Sequence, residues 1–394
     1  MNATGRRTLA LSLLVGLATM PDALVPIALK SAVVDRWGVS LADAHWFAAI
    51  GMVGAVLAIA LLKPMERRWS PGLTIALASL INAVALALLW APVTFGVAMG
   101  LRLVTGAADM VTLAVLLGLL EAGDPQRAGH RYGPAAMAIM LGLSMGFIIG
   151  GILAGYIGGD IFLVGAAFSV LLAVAAGGSG GLLRHAFTVS SKIQSSAPGV
   201  RYWPTLVFNF SDRALSAVIS VTVSLSLLVE AGMSEAQVGP GLGAMLLLIA
   251  FGAWPAGVLA DRFGALPIRV IAVVGYGAAF AALAWAPWVP SWIVLLSLVL
   301  IGISGAGLAP STLMLASRKG RGVVDMGGLH AAGSAGYLCG LLGAGALLEL
   351  GASITAVFQF LFLGFATLYL LFNLPAIAAM AGWRMRRVSR LSGI

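Results

Sequence analysis

Five charged residues stand inside long apolar stretches of this sequence: Asp22, Arg102, Asp109, Asp212 and Arg213. A charge in the hydrocarbon core of a membrane costs at least about 2.5–3.5 kcal/mol on insertion scales, so such residues usually have a function or a partner. A carboxylate in this setting can bind a proton or a cation, and an arginine can hold an anion or influence a nearby acid. These residues therefore predict chemistry that moves protons and charged solutes.

The composition indicates which elements must position these charges. The chain has 394 residues, 60% of them hydrophobic and 9% charged, and its mean hydropathy is +1.03. Soluble domains carry about 25% charged residues, so lipid must be the main solvent of this chain. Because the apolar runs are continuous and do not alternate, helices are favoured over a membrane barrel.

Twelve stretches approach or exceed the length of about 20 residues that a helix needs to cross the hydrocarbon core. We number them spans 1 to 12 and place them at residues 8–29, 44–62, 72–91, 94–120, 133–157, 161–183, 204–229, 237–260, 267–286, 291–316, 328–350 and 353–380. No spacing of residues in these spans supports catalysis, so we do not expect an enzyme.

An internal repeat predicts that the spans form two equivalent halves. The matched positions keep a nearly constant offset: Gly38 with Gly232, Glu66 with Asp261, Gly142 with Gly336, Gly146 with Gly340, and Gly151 with Gly345. Repeats of this kind are common in transporters whose two bundles rock about a midplane site. The predicted fold is an all-α membrane protein with two six-helix bundles related by pseudo-two-fold symmetry. The N-terminal bundle is placed at 1–183, a cytoplasmic linker at 184–203, the C-terminal bundle at 204–380 and a basic cytoplasmic tail at 381–394.

The distribution of basic residues predicts the orientation. All but four of the 23 lysines and arginines fall on one side of the predicted topology. Lys30 and Arg36 lie in loops on the other side, Arg102 and Arg213 lie within spans, and Arg269 is counted on the basic side. The positive-inside rule then makes both termini cytoplasmic, in a bacterial inner membrane. It also explains the net charge of +9 without a nucleic-acid partner.

Residues 257–264 read Gly-Val-Leu-Ala-Asp-Arg-Phe-Gly, which resembles the G-x-L-A-D-R-x-G motif of the Major Facilitator Superfamily. It lies between spans 8 and 9, and a degraded copy lies between spans 2 and 3. The resemblance implies the fold with two six-helix bundles and transport by alternating access. A carboxylate in the motif can face the positive N-terminal end of another helix. The gating residues expected on this basis are Gly257, Asp261, Arg262, Gly264, Glu66, Arg67 and Arg131.

Shorter patterns resemble particular branches of the same superfamily. Arg102 followed by Gly106 resembles a span-4 motif of proton-coupled members, in which the arginine is implicated in proton transfer. Residues 209–213 resemble the N-Y-x-D-R sequence that organic-anion and lysolipid carriers have in their first span. The substrate-binding residues expected are Asp22, Asn209, Asp212 and Arg213.

Span 5 is rich in glycine, and its glycines are Gly142, Gly146, Gly150 and Gly151 among others. Small residues at this spacing predict close helix packing. The pattern also resembles the antiporter motif of the superfamily, with Phe147 in the place of a proline.

The surroundings of the acids suggest how they act. Asp22 lies between Pro21 and Pro26, which we expect to bend or unwind span 1 and to leave the acid without a fixed partner. Arg102 and Asp109 share one face of span 4 but lie too far apart along the axis to pair, so each faces the cavity or another helix. Adjacent helical residues point about 100° apart, so Asp212 and Arg213 face different surroundings. We expect Asp22 and Asp212 to flank the cavity from opposite halves.

The leading hypothesis is a proton-coupled secondary active transporter, closest in motifs to the drug:proton antiporter branch, that exports small amphipathic or cationic molecules. Its proton-coupling residues are Asp22, Asp109, Asp212 and Arg102. The first alternative is a symporter or exporter of organic anions such as carboxylates, phosphate esters, siderophores or lysolipids. The second is a non-transporting membrane sensor. We expect a monomer that meets small molecules, protons and membrane lipids, driven by the proton gradient without a cofactor or metal.

Overall fold

A computed structural model describes residues 3–121, 128–157, 160–179, 203–317, 323–350 and 354–392, and every structural statement below concerns these ranges. The described residues form helices and turns and no strand. Eleven helices among them are long and apolar enough to cross a membrane. The remaining predicted span, span 11, is also present, as the helix Val323–Glu349. The predicted all-α membrane fold is confirmed, whereas the bundle boundaries stay a prediction because almost all of the linker lies outside the described ranges.

The spans of the N-terminal half follow each other with short connections. They are span 1 Ala3–Ile27, span 2 Leu41–Arg68, span 3 Pro71–Trp90, span 4 Phe95–Glu121, span 5 Ala128–Ile157 and span 6 Ile161–Gly178. A π-helical turn, Lys30–Asp35, follows span 1. Span 1 stays helical through Pro21 and Pro26, so the alternative that these prolines unwind it is wrong.

The spans of the C-terminal half contain two interruptions. Span 7 consists of the helix Trp203–Ala217, the π-helical turn Val218–Val223 and the helix Ser224–Val229, and span 10 consists of Ser291–Gly305 and Leu308–Ser317. The others are span 8 Glu235–Phe263, span 9 Ala265–Ala282 with a 3₁₀ turn at Leu283–Trp288, span 11 Val323–Glu349 and span 12 Ile354–Ser392. Span 12 thus continues as a helix beyond residue 380, where the basic tail was predicted to begin.

The basic end of the bundle is the end at which span 2 is joined to span 3 and span 8 is joined to span 9. The far end is where spans 1 and 2, and spans 7 and 8, are joined. At the far end Gly38 and Gly232 adopt positive φ angles of 63° and 62°, which favour glycine. Each is followed two residues later by a serine, Ser40 or Ser234, that forms the capping box of the next span. Residues 38–40 and 232–234, whose glycines are matched in the repeat, therefore build the same turn.

Glycines of spans 5 and 11 set the distances between helices. A Cβ atom at Gly142 would overlap the Gly16 carbonyl oxygen of span 1, and one at Gly336 would overlap the Phe210 carbonyl oxygen of span 7. Nearer the far end, a Cβ atom at Gly151 would lie 2.6 Å from the Cα atom of Gly239 in span 8. Spans 5 and 11 thus pack within their own half, and span 5 also packs directly against the other half.

Among the described residues, three side-chain hydrogen bonds join the two halves at the far end. The side chain of His45 in span 2 is fully buried, and its Nε2 lies 2.9 Å from the Thr222 hydroxyl of span 7. Ser224 Oγ donates to the Pro26 carbonyl at 3.3 Å, and Trp46 Nε1 donates to Glu349 at 3.1 Å. These contacts hold the two halves together at the far end. We call them the far-end seam.

Candidate functional site

The N-terminal half holds one polar network inside the membrane, beginning at Asp22. Arg102 Nη2 of span 4 lies 3.8 Å from Asp22 Oδ1 of span 1, and Arg102 Nη1 donates to Thr105 at 3.1 Å. The Arg102 side chain is 6% exposed and that of Asp22 is 24% exposed. The expectation that Asp22 lacks a partner is wrong, because the arginine one helix away reaches it. Their ion pair is long, and the Asp22 side chain keeps part of its surface exposed.

Asp109 extends this network toward spans 3 and 6. Asn82 Nδ2 donates to Asp109 Oδ1 at 2.6 Å and to Ser169 Oγ at 3.2 Å. The Asp109 carboxyl also interacts with the Asp22 carboxyl, so the two acids belong to one cluster. Arg102 and Asp109 therefore find partners on other helices, as their spacing predicted. The cluster holds two acids and one arginine, which leaves one negative charge in excess when both acids are ionised.

Two glycines make room for Arg102. A Cβ atom at Gly51 of span 2 would lie 3.0 Å from Arg102 Nε. A Cβ atom at Gly106, one turn along span 4, would overlap the carbonyl oxygen of Gly51. The spacing of Arg102 and Gly106 thus lets spans 2 and 4 touch while the guanidinium stays beside Asp22. Gly51 and Asn82 were not identified from the sequence, since one is a common small residue and the other carries no charge.

The C-terminal half holds a second, tighter network around Asp212. Arg269 Nη1 and Nη2 donate to the two oxygens of Asp212 at 2.6 and 2.7 Å, and Tyr369 donates to the same carboxylate at 2.9 Å. Arg269 also donates to Asn373 at 2.6 Å and to Thr312 at 3.0 Å, and its side chain is 0% exposed. The guanidinium lies 4.5 Å from the ring centre of Phe208.

This network corrects two expectations. Arg269 was counted among the residues of the basic side, but it is buried in span 9 among its own half's helices. Asp212 was expected to flank the cavity, but its carboxylate turns into the C-terminal half to meet Arg269. The bidentate geometry and the partners on three other spans are those of a pair that holds helices together.

Arg213 faces a different direction from Asp212, as predicted for adjacent residues. A Cβ atom at Gly333 of span 11 would lie 3.2 Å from Arg213 Cγ and 2.6 Å from Asn209 Nδ2, so both side chains face span 11. Arg213 is partly exposed. In the described ranges its guanidinium has no carboxylate within ion-pair distance.

Tyr337 stands one helical turn beyond Gly333 on span 11, and it was not identified from the sequence. Its hydroxyl lies 2.8 Å from Ser220 Oγ, in the π-helical turn of span 7. The same hydroxyl interacts electrostatically with Asp22 and Arg102 of the N-terminal half and with Arg213 of the C-terminal half. Tyr337 therefore stands where the two charged clusters approach each other, and this place is the candidate substrate site.

The residues predicted to gate the basic end lie at helix ends. Arg262 stands in the last turn of span 8, and Gly264 ends that helix with a φ of 95°, which favours glycine. Gly257 lies inside span 8, so the motif belongs mainly to the helix and not to a loop. The side chains of Asp261, Glu66, Arg67 and Arg131 lie outside the described part of the structure, so their contacts stay predictions. Among described residues, no three His, Cys, Asp or Glu side chains cluster to hold a metal ion.

Comparison with known proteins identifies the architecture. The chain is similar over 96% of its length to the nucleoside transporter NupG, with a TM-score of 0.73, 17% identity and 99% of that chain covered. It is similar over 95% of its length to a bacterial homologue of the lysosomal transporter Spinster in an inward-facing, unoccupied conformation, with a TM-score of 0.69, 14% identity and 95% of that chain covered. The chain has the Major Facilitator Superfamily fold. The human organic anion transporter MFSD10 shares this MFS fold, with a TM-score of 0.63, 18% identity, and 95% and 100% of the two chains covered.

Sequence comparison agrees with this MFS assignment. An uncharacterized MFS-type transporter of Yersinia pseudotuberculosis is 27% identical over 314 residues, 76% of this chain and 75% of that protein. The 4-hydroxybenzoate transporter PcaK of Pseudomonas putida is 40% identical over 86 residues, 22% of this chain and 19% of that protein. No family model matches the chain. These proteins are transporters and not enzymes; the similarity to an MFS-type transporter in sequence and to several transporters in fold supports a multi-pass membrane transporter with a small-molecule substrate.

Proposed function

We propose that the chain is a proton-coupled secondary active transporter and that Asp22, Asp109 and Arg102 form its proton site. The observation that carries the proposal is the contact of two carboxyl groups beside a single arginine. Two carboxyl groups this close tend to share one proton, because ionising both is opposed by their mutual repulsion. Arg102 balances one negative charge, and a proton balances the other.

Asn82 suits a site that changes its protonation state. Its amide nitrogen donates to Asp109, while its oxygen Oδ1 is buried without a hydrogen-bond partner among the described residues. An amide carries both a donor and an acceptor, so rotation by 180° would let it accept a hydrogen bond from a protonated acid. The Asp109 carboxyl therefore has a partner in either state, and the partly exposed Asp22 provides a route to the space between the halves.

Alternating access connects the proton to the substrate. A buried net charge is costly in a membrane, so the proton changes the relative stability of the two access states. The positive-inside rule places the basic end in the cytoplasm of a bacterial inner membrane, together with both termini. In that orientation the far-end seam closes the side away from the cytoplasm, and loss of these contacts opens it.

The direction and the substrate class are separate proposals. Export of cationic or amphipathic molecules by antiport, as in the drug:proton branch, would use Asp22 to hold the cation, in competition with Arg102. Transport of organic anions is favoured by a specific observation, namely that Arg213 lacks a carboxylate partner in the described ranges. The local likeness to a 4-hydroxybenzoate transporter and the shared fold of MFSD10 agree with this second candidate.

Replacing either acid with its amide tests the proton site. In proteoliposomes with an imposed pH gradient and a trapped pH dye, we expect Asp109→Asn and Asp22→Asn to lower substrate-linked proton flux at least about tenfold, because an amide cannot take up the proton. Asp35→Asn is the matched control, since Asp35 is exposed at the far end and pairs only with Lys30 among described residues. A panel of cationic drugs and organic anions supplies the substrates. Unchanged flux in both variants, or no substrate-linked proton flux at all, contradicts the proposal, and the latter outcome favours a sensor.

A further inference from the structure

We infer that Arg213, Tyr337 and Ser220 form a binding site for an organic anion with a single negative charge, and that this anion crosses together with one proton. The coupling of anion movement to proton movement rests on the proposed proton site. The anion site itself is argued from separate contacts, which do not involve that proton site. It assigns roles to Tyr337 and Ser220, and it predicts symport where the sequence favoured antiport.

Arg213 differs from the other arginines deep in the described spans. Arg102 has Asp22 at 3.8 Å, and Arg269 has Asp212 at 2.6 Å. Arg213 has no such carboxylate among the described residues, although its neighbour Asp212 is an acid. A cation in this setting is stabilised by an anion, and a guanidinium binds a carboxylate through two parallel hydrogen bonds.

The hydroxyl pair beside Arg213 supplies a donor. Tyr337 and Ser220 lie 2.8 Å apart, so one hydroxyl donates to the other. Ser220 donates either to Tyr337 or to the Ala217 carbonyl oxygen at 3.0 Å, and when it donates to Tyr337 the Tyr337 hydrogen can be donated to a ligand. Asn209 faces span 11 beside Arg213 and borders the same place. The site can therefore offer an anion a guanidinium and a hydroxyl donor from two different spans.

The charges of the two halves explain the coupling. Asp22, Asp109 and Arg102 leave one negative charge in excess, whereas Asp212, Arg269 and Arg213 leave one positive charge in excess. A proton neutralises the first cluster and a monovalent anion neutralises the second. The empty carrier and the doubly loaded carrier thus have the same total charge in these clusters, but a carrier loaded with only one of the two does not. Since a net charge opposes the passage between access states, one proton and one anion move together and the transport is electroneutral.

Three ligands of similar shape and different charge test the anion site. The purified full-length chain is titrated in detergent with benzoate, benzamide and benzamidine, and thermal stability reports binding. We expect stabilisation by benzoate alone, and a loss of at least about tenfold in benzoate affinity in Arg213→Gln. Tyr337→Phe weakens binding by a smaller factor of about two to ten, as expected for one hydrogen bond. Arg68→Gln is the matched control, because that arginine is exposed at the basic end.

The outcomes separate this inference from the proposed function. The anion site is overturned if Arg213→Gln binds benzoate as well as the unmodified protein does. It is also overturned if neither benzoate nor the aliphatic anion hexanoate stabilises the protein. Proton flux driven by cations without anion binding leaves the proton site standing and the anion site refuted. Anion binding without proton flux leaves the anion site standing and the proton site refuted.

Electroneutrality is tested by flux. Benzoate uptake down a pH gradient is measured with the membrane potential clamped by valinomycin and potassium, and protein-free vesicles correct for passive diffusion of benzoic acid. We expect a rate that does not change with the potential, and a rate that follows the potential overturns the symport of one proton with one anion. Asp109→Asn should keep benzoate affinity and lose the dependence on the pH gradient.

Discussion

Replacing Arg269 with methionine is expected to lower the free energy of unfolding of the protein by about 3–5 kcal/mol, because the change leaves the Asp212 carboxylate buried without its charge partner. Arg269 makes two short hydrogen bonds to Asp212 and further ones to Asn373 and Thr312. These contacts join spans 7, 9, 10 and 12, so their loss affects the packing of the whole C-terminal half. Thermal unfolding of the purified protein in detergent, followed by size-exclusion chromatography, measures the effect.

A double variant distinguishes the lost ion pair from lost packing. Asp212→Asn combined with Arg269→Met removes the stranded charge, and we expect it to be more stable than Arg269→Met alone. Arg262→Met is the control, because Arg262 is exposed and its loss should change stability by less than about 0.5 kcal/mol. Equal stability of Arg269→Met and the unmodified protein would show that the pair does not hold the helices together.

Replacing Gly151 with leucine is expected to part spans 5 and 8 at the far end and to lower transport about 100-fold. A Cβ atom at Gly151 would lie 2.6 Å from the Glu235 carbonyl oxygen and 2.6 Å from Gly239 Cα. Both are backbone atoms, so a side chain there is accommodated only if the helices separate. Overpacking costs about 1–3 kcal/mol and occasionally more, and moving a two-state equilibrium from 1:99 to 99:1 takes about 5.5 kcal/mol, so the overlap shifts the equilibrium strongly toward the state that relieves it. The carrier would then stay in the state with its far end open.

A cysteine in the far-end seam reports this change. The native Cys339 is exposed, so it is first replaced by serine, and Ser224→Cys is introduced as the reporter. Ser224 is fully buried beside Pro26, and a membrane-impermeant maleimide should not reach it while the seam is closed. We expect Gly151→Leu to make the reporter reactive and Gly100→Leu to leave it protected, because a Cβ atom at Gly100 meets nothing within 4 Å. Equal protection in both variants would contradict the role of Gly151 in closing the far end.

Much of the fold could be predicted because it depends on local properties of the chain. The length of the apolar runs predicted each span, since hydrocarbon thickness sets the length of a crossing helix. Gly38 and Gly232 were recognised as a matched pair, and the same turn at both places explains the match. Asp22, Arg102 and Asp109 stood out because a charge in an apolar run is rare.

The partners of these charges could not be predicted in the same way. Arg269 was assigned to the basic side because it begins a span only a few residues after Arg262, and only the packing of four helices shows that it is buried. Asn82 and Tyr337 are uncharged, and His45 stands at the start of span 2, so residue type alone did not single out these three side chains. Their importance comes from contacts with residues far away in the sequence, and one sequence contains no direct record of such contacts.

The π-helical turn of span 7 has a consequence for how ligand and access state influence each other. Its six residues, Val218–Val223, include Ser220, which meets Tyr337, and Thr222, which meets His45 in the far-end seam. π-Helical turns are rare, and many of those that occur lie at functional sites. A ligand that draws Tyr337 away from Ser220 acts on the segment that holds the seam. Thermodynamic linkage makes this influence mutual. If the bound ligand changes the equilibrium constant for opening of the seam by some factor, opening of the seam changes the affinity for the ligand by the same factor.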